Sequence, residues 1–139
     1  MAVCLIARTA LHGHCQELLT NESIISMTSA KVGRNIIAEK IRMSEADFDL
    51  STIALVTLKE AKIHDSVVEQ MLLKAKDALP VITNDDIIIL SQGKVSRGII
   101  IKKIQLSKTD FSVGANDLIE FKSAKVHDAV VKEIMLRAN

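Results

Sequence analysis

Apolar residues recur three or four positions apart along most of this chain. Ile24 and Met27 form one such stripe, and Ile37 and Ile41 form another. This spacing places the side chains on one face of a helix and does not fit the strict alternation of a half-buried strand. We therefore predict an all-α fold in which residues 19–138 are mainly helical and contain no sheet.

The predicted helices share one start signal. An apolar residue stands just before each N-cap position and a second one follows five residues later, which is the spacing of a hydrophobic staple. The eight pairs are Leu19 with Ile24, Val32 with Ile37, Leu50 with Leu55, Ile63 with Val68, Ile82 with Ile87, Val95 with Ile100, Val113 with Leu118, and Val126 with Val131. Eight starts that follow one rule outweigh the strand preference of the many β-branched residues.

The sequence contains an internal duplication. Residues 19–75 align without a gap onto residues 82–138 at an offset of 63, and 24 of the 57 aligned pairs are identical by direct count. A fixed internal period is typical of repeat architectures. We call these two segments repeat one and repeat two. Residues 76–81, with Pro80, are the predicted linker between them.

Each repeat divides once more at an offset of 31. Residues 19–41 match residues 50–72, and residues 82–104 match residues 113–135. Each of the four units is predicted to be a helix-turn-helix hairpin. Hairpins of this kind stack so that each covers the apolar face of its neighbour, so we expect two tandem repeats of two hairpins in one compact domain.

A lysine occupies each predicted turn, within A-K-V, A-K-I, G-K-V and A-K-V; the four are Lys31, Lys62, Lys94 and Lys125. The position after a helix end usually adopts left-handed backbone geometry and favours glycine. A residue other than glycine there costs on the order of 1 kcal/mol. In the links between hairpins, Phe48 and Phe111 occupy equivalent places, and we predict that both are buried plugs.

Several strings resemble an uncharacterised bacterial domain of tandem helical hairpins. They read L-T-N-x-x-I-I, I-I-x-x-K-I, S-x-x-x-F-D-L-S and L-K-x-A-x-x-x-D-x-V-V-x-x-M, and the resemblance covers residues 19–138. It implies an all-helical module with no assigned activity, and it supplies no catalytic residues that could be transferred to this chain. This chain departs from that domain at the turns, where A-K-V-G and A-K-I-H stand in place of A-G-V-S.

Residues 1–18 stand outside the repeats and are predicted to be a leader. The apolar run Val3–Ala7 allows either a signal peptide or a disordered or weakly helical tail. The protein is therefore expected to be cytoplasmic by default, and exported if the leader is a signal remnant. Cys4 and Cys15 are the two cysteines, which excludes a disulfide scaffold for the repeats. No apolar run approaches the length of a membrane span.

Charge and aromatic content argue against nucleic acid as a partner. The formal net charge is +1; by count repeat one carries 7 basic and 8 acidic residues, and repeat two carries 9 and 7. A duplex-binding domain concentrates more positive charge than this. The chain has no Trp or Tyr and only three Phe, which leaves few platforms for stacking bases.

Two H-D dipeptides, His64-Asp65 and His127-Asp128, are the most enzyme-like feature. They could supply metal ligands or a general base. Their place after a turn favours a helix N-cap followed by a carboxylate that complements the helix dipole. The H-G-H-C segment 12–15 lacks a second cluster to complete a metal site. We therefore predict no catalytic residue, metal or cofactor, and no enzymatic activity.

Two cation pairs stand beside helix N-termini, Lys31 with Arg34 and Lys94 with Arg97. Free N–H groups at such termini attract anions. Stacked hairpins, in turn, expose extended surfaces that suit protein partners. The sequence thus favours a module for protein–protein interaction or self-association, with another protein or itself as partner. Anion or nucleic-acid binding through these four residues is the alternative.

Overall fold

The computed structural model describes residues 17–138, and eight helices contain most of them. In chain order the elements are β1 (Leu18–Leu19), α1 (Asn21–Ser29), α2 (Arg34–Met43), β2 (Glu45–Ala46), α3 (Thr52–Glu60), α4 (Asp65–Lys74), a 3-10 turn (Lys76–Ala78), β3 (Ile82–Thr83), α5 (Asn84–Gln92), α6 (Arg97–Leu106), β4 (Thr109–Asp110), α7 (Ala115–Ser123) and α8 (Asp128–Arg137). The predicted all-α class is confirmed. Most of the predicted leader lies outside the described residues.

The expectation of no sheet is wrong in one detail. β1 pairs in parallel with β2, Leu18 opposite Glu45, and β3 pairs with β4, Ile82 opposite Thr109. Each strand has two residues; β2, β3 and β4 lie in links between helices, and β1 directly precedes α1. The backbone groups of a link need partners, and two extended links that run side by side provide them. Alternation of apolar residues cannot reveal a strand of two residues.

Side-chain caps fix the helix starts where the staples predict them. The hydroxyl of Thr20 accepts from the backbone N–H of Ser23, and the hydroxyl of Thr83 accepts from that of Asp86. The flanking staple pairs Leu19–Ile24 and Ile82–Ile87 are buried. A satisfied cap and a buried staple together fix the angle at which the chain enters each helix.

The four turn lysines adopt the predicted left-handed conformation. Their φ angles are 70° at Lys31, 64° at Lys62, 65° at Lys94 and 62° at Lys125. In the first turn, Lys31 N–H donates to the Thr28 carbonyl and Val32 N–H donates to the Met27 carbonyl, each at 3.0 Å. These bonds satisfy carbonyls that the ending helix leaves free.

The second helices of the hairpins form one row, in which α4 packs on α2, α6 on α4 and α8 on α6. Beside this row, α3 packs on α5. The helices of repeat two begin 63 residues after those of repeat one, as with α5 at Asn84 after α1 at Asn21. The core between the helices is made almost entirely of Leu, Ile, Val and Met.

The prediction that Phe48 and Phe111 are buried plugs is confirmed only in part. Both pack against the core, but neither is fully buried, because each lies in a link that runs over the surface. The buried ring belongs to Phe121 on α7. Its equivalents Leu58 and Leu90 are also buried, so the period of the repeats identifies this core position.

Replacing Phe121 with Ala should therefore destabilise the fold by about 3–5 kcal/mol, whereas Phe48→Ala and Phe111→Ala should each cost less, roughly 1–2 kcal/mol, because these two rings are only partly buried. Urea unfolding followed by circular dichroism measures these losses. Phe121→Leu is the control, and should cost less than about 1.5 kcal/mol. An equal loss for Phe48→Ala and Phe121→Ala would contradict this assignment of the core.

Candidate functional site

Lys103 is a buried lysine at the junction between the two repeats. It lies on α6 with 1% of its side chain surface exposed, and its Nζ donates to the main-chain carbonyl of Leu50 in repeat one. That carbonyl precedes the N-cap of α3, outside any helical ladder. The lysine therefore satisfies a buried acceptor of one repeat with a donor of the other.

Burial dominates the electrostatics of Lys103. Desolvation lowers its pKa from the ordinary value of 10.5 to about 8, while the charges of Asp86 and Asp49 act in the opposite direction. A lysine with a lowered pKa can serve as a nucleophile or base. Enclosure in the core denies a solute access to this amine, so its role here is structural. Sequence reasoning missed this buried lysine because Lys102 and Lys103 directly follow the apolar run 99–101. Two consecutive lysines at the end of an apolar run look like the start of an exposed segment.

Two further contacts join the repeats at this junction. The hydroxyl of Thr52 on α3 donates to Asp86 Oδ1 at 2.8 Å. At the end of α5, a Cβ at Gly93 would lie 2.7 Å from Cγ2 of Val56. Such a distance is too short for a side chain, so glycine allows α3 and α5 to approach closely. Hydrogen bonding and close packing thus fix the same pair of helices.

The predicted anion-binding arginines contact the next hairpin. Arg34 Nη1 lies 2.8 Å from His64 Nε2, and Arg97 Nη1 lies 2.8 Å from His127 Nε2. Lys31 and Lys94 occupy the left-handed turn positions between the helices of their hairpins. A hollow of about 250 Å³ is lined by Ser91, Val95, Arg97, Ile100, Lys125, His127 and Val130. The structure therefore brings Arg97 together with Lys125 of the next turn, and an anion role for Lys31, Arg34, Lys94 and Arg97 stays a prediction.

The capping interpretation of the H-D dipeptides is confirmed. His64 Nδ1 lies 3.1 Å from the backbone nitrogen of Ser66, and His127 Nδ1 lies 3.0 Å from that of Ala129. Asp65 and Asp128 open the helices α4 and α8. Among residues 17–138, no three His, Cys, Asp or Glu side chains come together as a metal site. The H-G-H-C segment lies outside the described residues.

The two histidines differ in how they can satisfy their neighbours. A neutral imidazole accepts at one nitrogen only, yet each ring faces a guanidinium at Nε2 and a backbone N–H at Nδ1. At His64 the hydroxyl of Ser66 lies 2.9 Å from Nδ1 and is a second possible partner for that nitrogen: it can accept from an Nδ1–H while Nε2 accepts from Arg34, although the backbone N–H of Ser66 then loses its acceptor. Ala129 has no hydroxyl, so Arg97 and the backbone compete for one lone pair of His127.

The two ends of the stack expose apolar side chains. At the C-terminal end, Leu118, Ile119, Val131 and Met135 form what we call the C-terminal end surface; Ile119 is 63% exposed and Met135 is 45% exposed. At the other end Ile36 is 64% exposed. Positions equivalent to these are buried or partly buried inside the stack. Among residues 17–138, therefore, no further hairpin covers these end positions.

Comparison with models of protein families, with curated proteins and with solved structures gives no match to this chain. The resemblance to a bacterial helical domain therefore stays a prediction. In the described part of the chain, no helix has both the length and the apolar character needed to cross a membrane.

Lys103 should make stability depend on pH in one direction. Its folded pKa of about 8 lies below the ordinary 10.5, so the unfolded chain binds more protons between these values. The free energy of unfolding should then rise from pH 8 to 10.5, by roughly 3 kcal/mol from this group. The penalty for the buried charge is fully present below pH 8.

The variant Lys103→Met, which introduces the residue found at the equivalent Met71, should abolish this rise. Lys40→Met changes the exposed equivalent in repeat one and should leave the rise intact, so it serves as the control. Urea unfolding at several pH values measures the slope. An unchanged slope in Lys103→Met would refute the buried ammonium as its source.

Proposed function

We propose that this chain is a helical-hairpin module for protein–protein interaction, and that it self-associates through the C-terminal end surface. The observation that carries the proposal is a break in burial at one repeated position. Ile41, Leu72 and Ile104 are fully buried, whereas their equivalent Met135 is 45% exposed. In the first three hairpins this position lies on the side that the following hairpin covers.

Neighbouring positions support the same interpretation. Ile37, Val68 and Ile100 are buried, but the equivalent Val131 on α8 is only partly buried. On α7, Ile119 is mostly exposed, whereas its equivalent Val56 packs against the core. Apolar side chains that are exposed together at positions buried in the other hairpins are typical of an interaction site.

A second copy of the chain is the partner we propose. Within the stack, the apolar residues at the equivalent positions, such as Ile41, Leu72 and Ile104, are buried between one hairpin and the apolar side of the next. Two C-terminal end surfaces facing each other across a two-fold axis would bury apolar side chains of both copies in one contact. The proposal includes no catalytic step. Lys103, whose pKa is lowered by burial, is enclosed in the core, and this enclosure supports a structural role for it.

Sedimentation velocity tests self-association. We expect a dimer that dissociates on dilution. Met135→Lys should weaken it by at least about tenfold in Kd, because the dimer would bury an unpaired charge. Ile53→Lys is the matched control: Ile53 is exposed on α3, and its equivalents Glu22, Asp85 and Asn116 are polar. A wild-type chain that stays monomeric up to about 1 mM would contradict the proposal.

Anion binding is the second candidate, and the hollow beside Arg97 favours it. Arg97, Lys125 and His127 line the hollow, and no carboxylate is among its lining residues. An oxyanion there would accept from Arg97 and leave the lone pair of His127 to the backbone N–H of Ala129. The competition at His127 would thereby be resolved.

A titration with inorganic phosphate, followed by amide chemical shifts of Lys125–His127, tests this site. We expect millimolar affinity, and Arg97→Gln or Lys125→Gln should weaken it by about fivefold or more because each removes a charged donor. Lys94→Gln is the control and should bind like the wild type. Equal weakening by Lys94→Gln would instead favour the Lys94–Arg97 pair predicted from the sequence.

A further inference from the structure

The turns of the four hairpins lie side by side along one edge of the stack. Arg34 Nη1, after the first turn, lies 2.8 Å from Nε2 of His64, after the second turn, and at the far ends of the same helices Lys74 Nζ donates to the Arg42 carbonyl at 3.3 Å. The third and fourth hairpins repeat both contacts. A narrow gap between the second and third turns is lined by residues that follow each of them. The second helices therefore run parallel, and all four turns are on the same edge.

Positive charge is concentrated on this edge. Its turn segments are residues 28–35, 59–66, 91–98 and 122–129, and together they are called the turn edge below. They contain 8 basic and 3 acidic residues, whereas the rest of the sequence contains 10 basic and 14 acidic residues. A protein with almost no net charge thus carries its basic excess along a single edge, where the local potential attracts an anionic partner.

The cations of the turn edge have no carboxylate partner within residues 17–138. The four turn lysines have exposed side chains, and none of them takes part in an ion pair in this part of the chain. The arginines of the first and third hairpins contact histidines instead of carboxylates. A carboxylate from a partner can therefore bind here without displacing one that is already present.

The turn lysines stand at positions where glycine is the less strained residue. All four have φ between 62° and 70°, a left-handed conformation that glycine adopts without steric cost. The helix dipole does not explain these lysines, because Lys59 and Lys122 already place a cation in the last turn of α3 and of α7. Strained residues that the fold does not require indicate a functional role.

The two arginines set a spacing along the turn edge. The repeated position that holds Arg34 and Arg97 holds Asp65 and Asp128 in the second and fourth hairpins, so positive and negative residues alternate. Packed helices lie about 8–10 Å apart, which separates Arg34 from Arg97 by roughly 16–20 Å over two hairpins. An extended peptide advances about 3.3 Å per residue. About five or six of its residues therefore cover the distance between the arginines.

This pattern suits a peptide better than a uniform polyanion. A peptide can place carboxylates at the two arginines and a neutral or basic side chain at Asp65, whereas a nucleic acid carries a phosphate at every nucleotide. The turn edge also has no Phe, Tyr or Trp on which a base could stack. Its large apolar residues are buried or partly buried and offer little to a membrane; they are Val32, Ile63, Val95 and Val126.

We propose that the turn edge binds an extended acidic segment of a partner protein. Carboxylates about five or six residues apart in that segment accept hydrogen bonds from Arg34 and Arg97. Lys125 lines the same hollow as Arg97, and Lys62 is its equivalent beside Arg34 in repeat one. The proposal rests in part on the anion site proposed beside Arg97 and adds a second, equivalent site. It does not involve the C-terminal end surface, which shares no residue with the turn edge.

Fluorescence anisotropy with the full chain tests the proposal. The probe is a labelled peptide of Gly and Ser that carries two Glu-Glu pairs about six residues apart, and we expect a Kd of about 100 μM at low salt. Arg34→Gln/Arg97→Gln should weaken binding by at least about tenfold. Lys76→Gln/Lys108→Gln is the matched control, because it removes the same charge from exposed lysines in the links between hairpins. It should bind like the wild type.

The turn lysines provide a test in which stability and binding change in opposite directions. Lys62→Gly/Lys125→Gly should raise the midpoint of urea unfolding, because glycine relieves the left-handed strain. The same variant should bind the peptide at least about fivefold more weakly. Unchanged affinity in this variant or in Arg34→Gln/Arg97→Gln would overturn the proposal. Equal affinity for a peptide with its Glu residues in one consecutive run would also overturn it, since the spacing requires two separate contacts.

Other classes of partner are outcomes of the same experiment. Binding of a single-stranded oligonucleotide or of phosphatidylserine vesicles at least about tenfold more tightly than the peptide would overturn the choice of a protein partner. Binding of inorganic phosphate with no binding of the peptide would overturn this proposal and leave the anion site beside Arg97 intact. Met135→Lys should bind the peptide like the wild type, which separates this surface from the proposed self-association.

Discussion

The fold depends on one packing constraint: the second helix of each hairpin is apolar on two sides and must be covered on both. In α4, Val67 and Met71 lie on one side, Val68 and Leu72 on the other, and all four are buried. One neighbour on each side satisfies this helix, which is why the second helices form a row. The first and last helices of the row described here have a neighbour on one side only, so each exposes one apolar side.

At the junction between the repeats, the helix side that must be covered carries a lysine, Lys103, where the second and fourth hairpins have apolar residues. Met71 and Ile134 fill the equivalent position without charge, whereas Lys103 carries a desolvation cost that lowers its pKa to about 8. What the lysine adds is selectivity. Its ammonium needs a carbonyl at the place of Leu50 and carboxylates near it, so it disfavours a hairpin that docks in another order. Gly93 acts in the same sense through its close contact with Val56.

Most of the fold could be predicted from patterns among residues close together in the sequence. The staples located all eight helix starts, and the lysines after helix ends identified the left-handed turns, because both depend on a few neighbouring residues. Contacts between distant residues left no comparable pattern. The pairing of β1 with β2 joins links 27 residues apart, Leu18 with Glu45, and the partial exposure of Phe48 depends on where its link crosses the core.

The site was less predictable than the fold for the same reason. Lys94 and Arg97 are close in sequence, and this proximity suggested a pair within one hairpin. Stacking instead directs Arg97 toward His127, thirty residues away. Lys103 resembled a surface lysine because no local feature shows that Leu50 leaves a buried carbonyl across the junction. The signal that could have indicated it is the repeated position itself, which is apolar in two of the four hairpins, at Met71 and Ile134.

The two-sided constraint also distinguishes the apolar side chains exposed at the ends of the stack from an isolated one on its flank. Ile53 is exposed on a flank, but its equivalents Glu22, Asp85 and Asn116 are polar, so it is one isolated apolar side chain of a kind common on protein surfaces. Met135 differs, because its equivalents are all buried. A residue at an end position has the apolar character that suits burial inside the stack. It is removed from water only if another helix or another molecule packs against it.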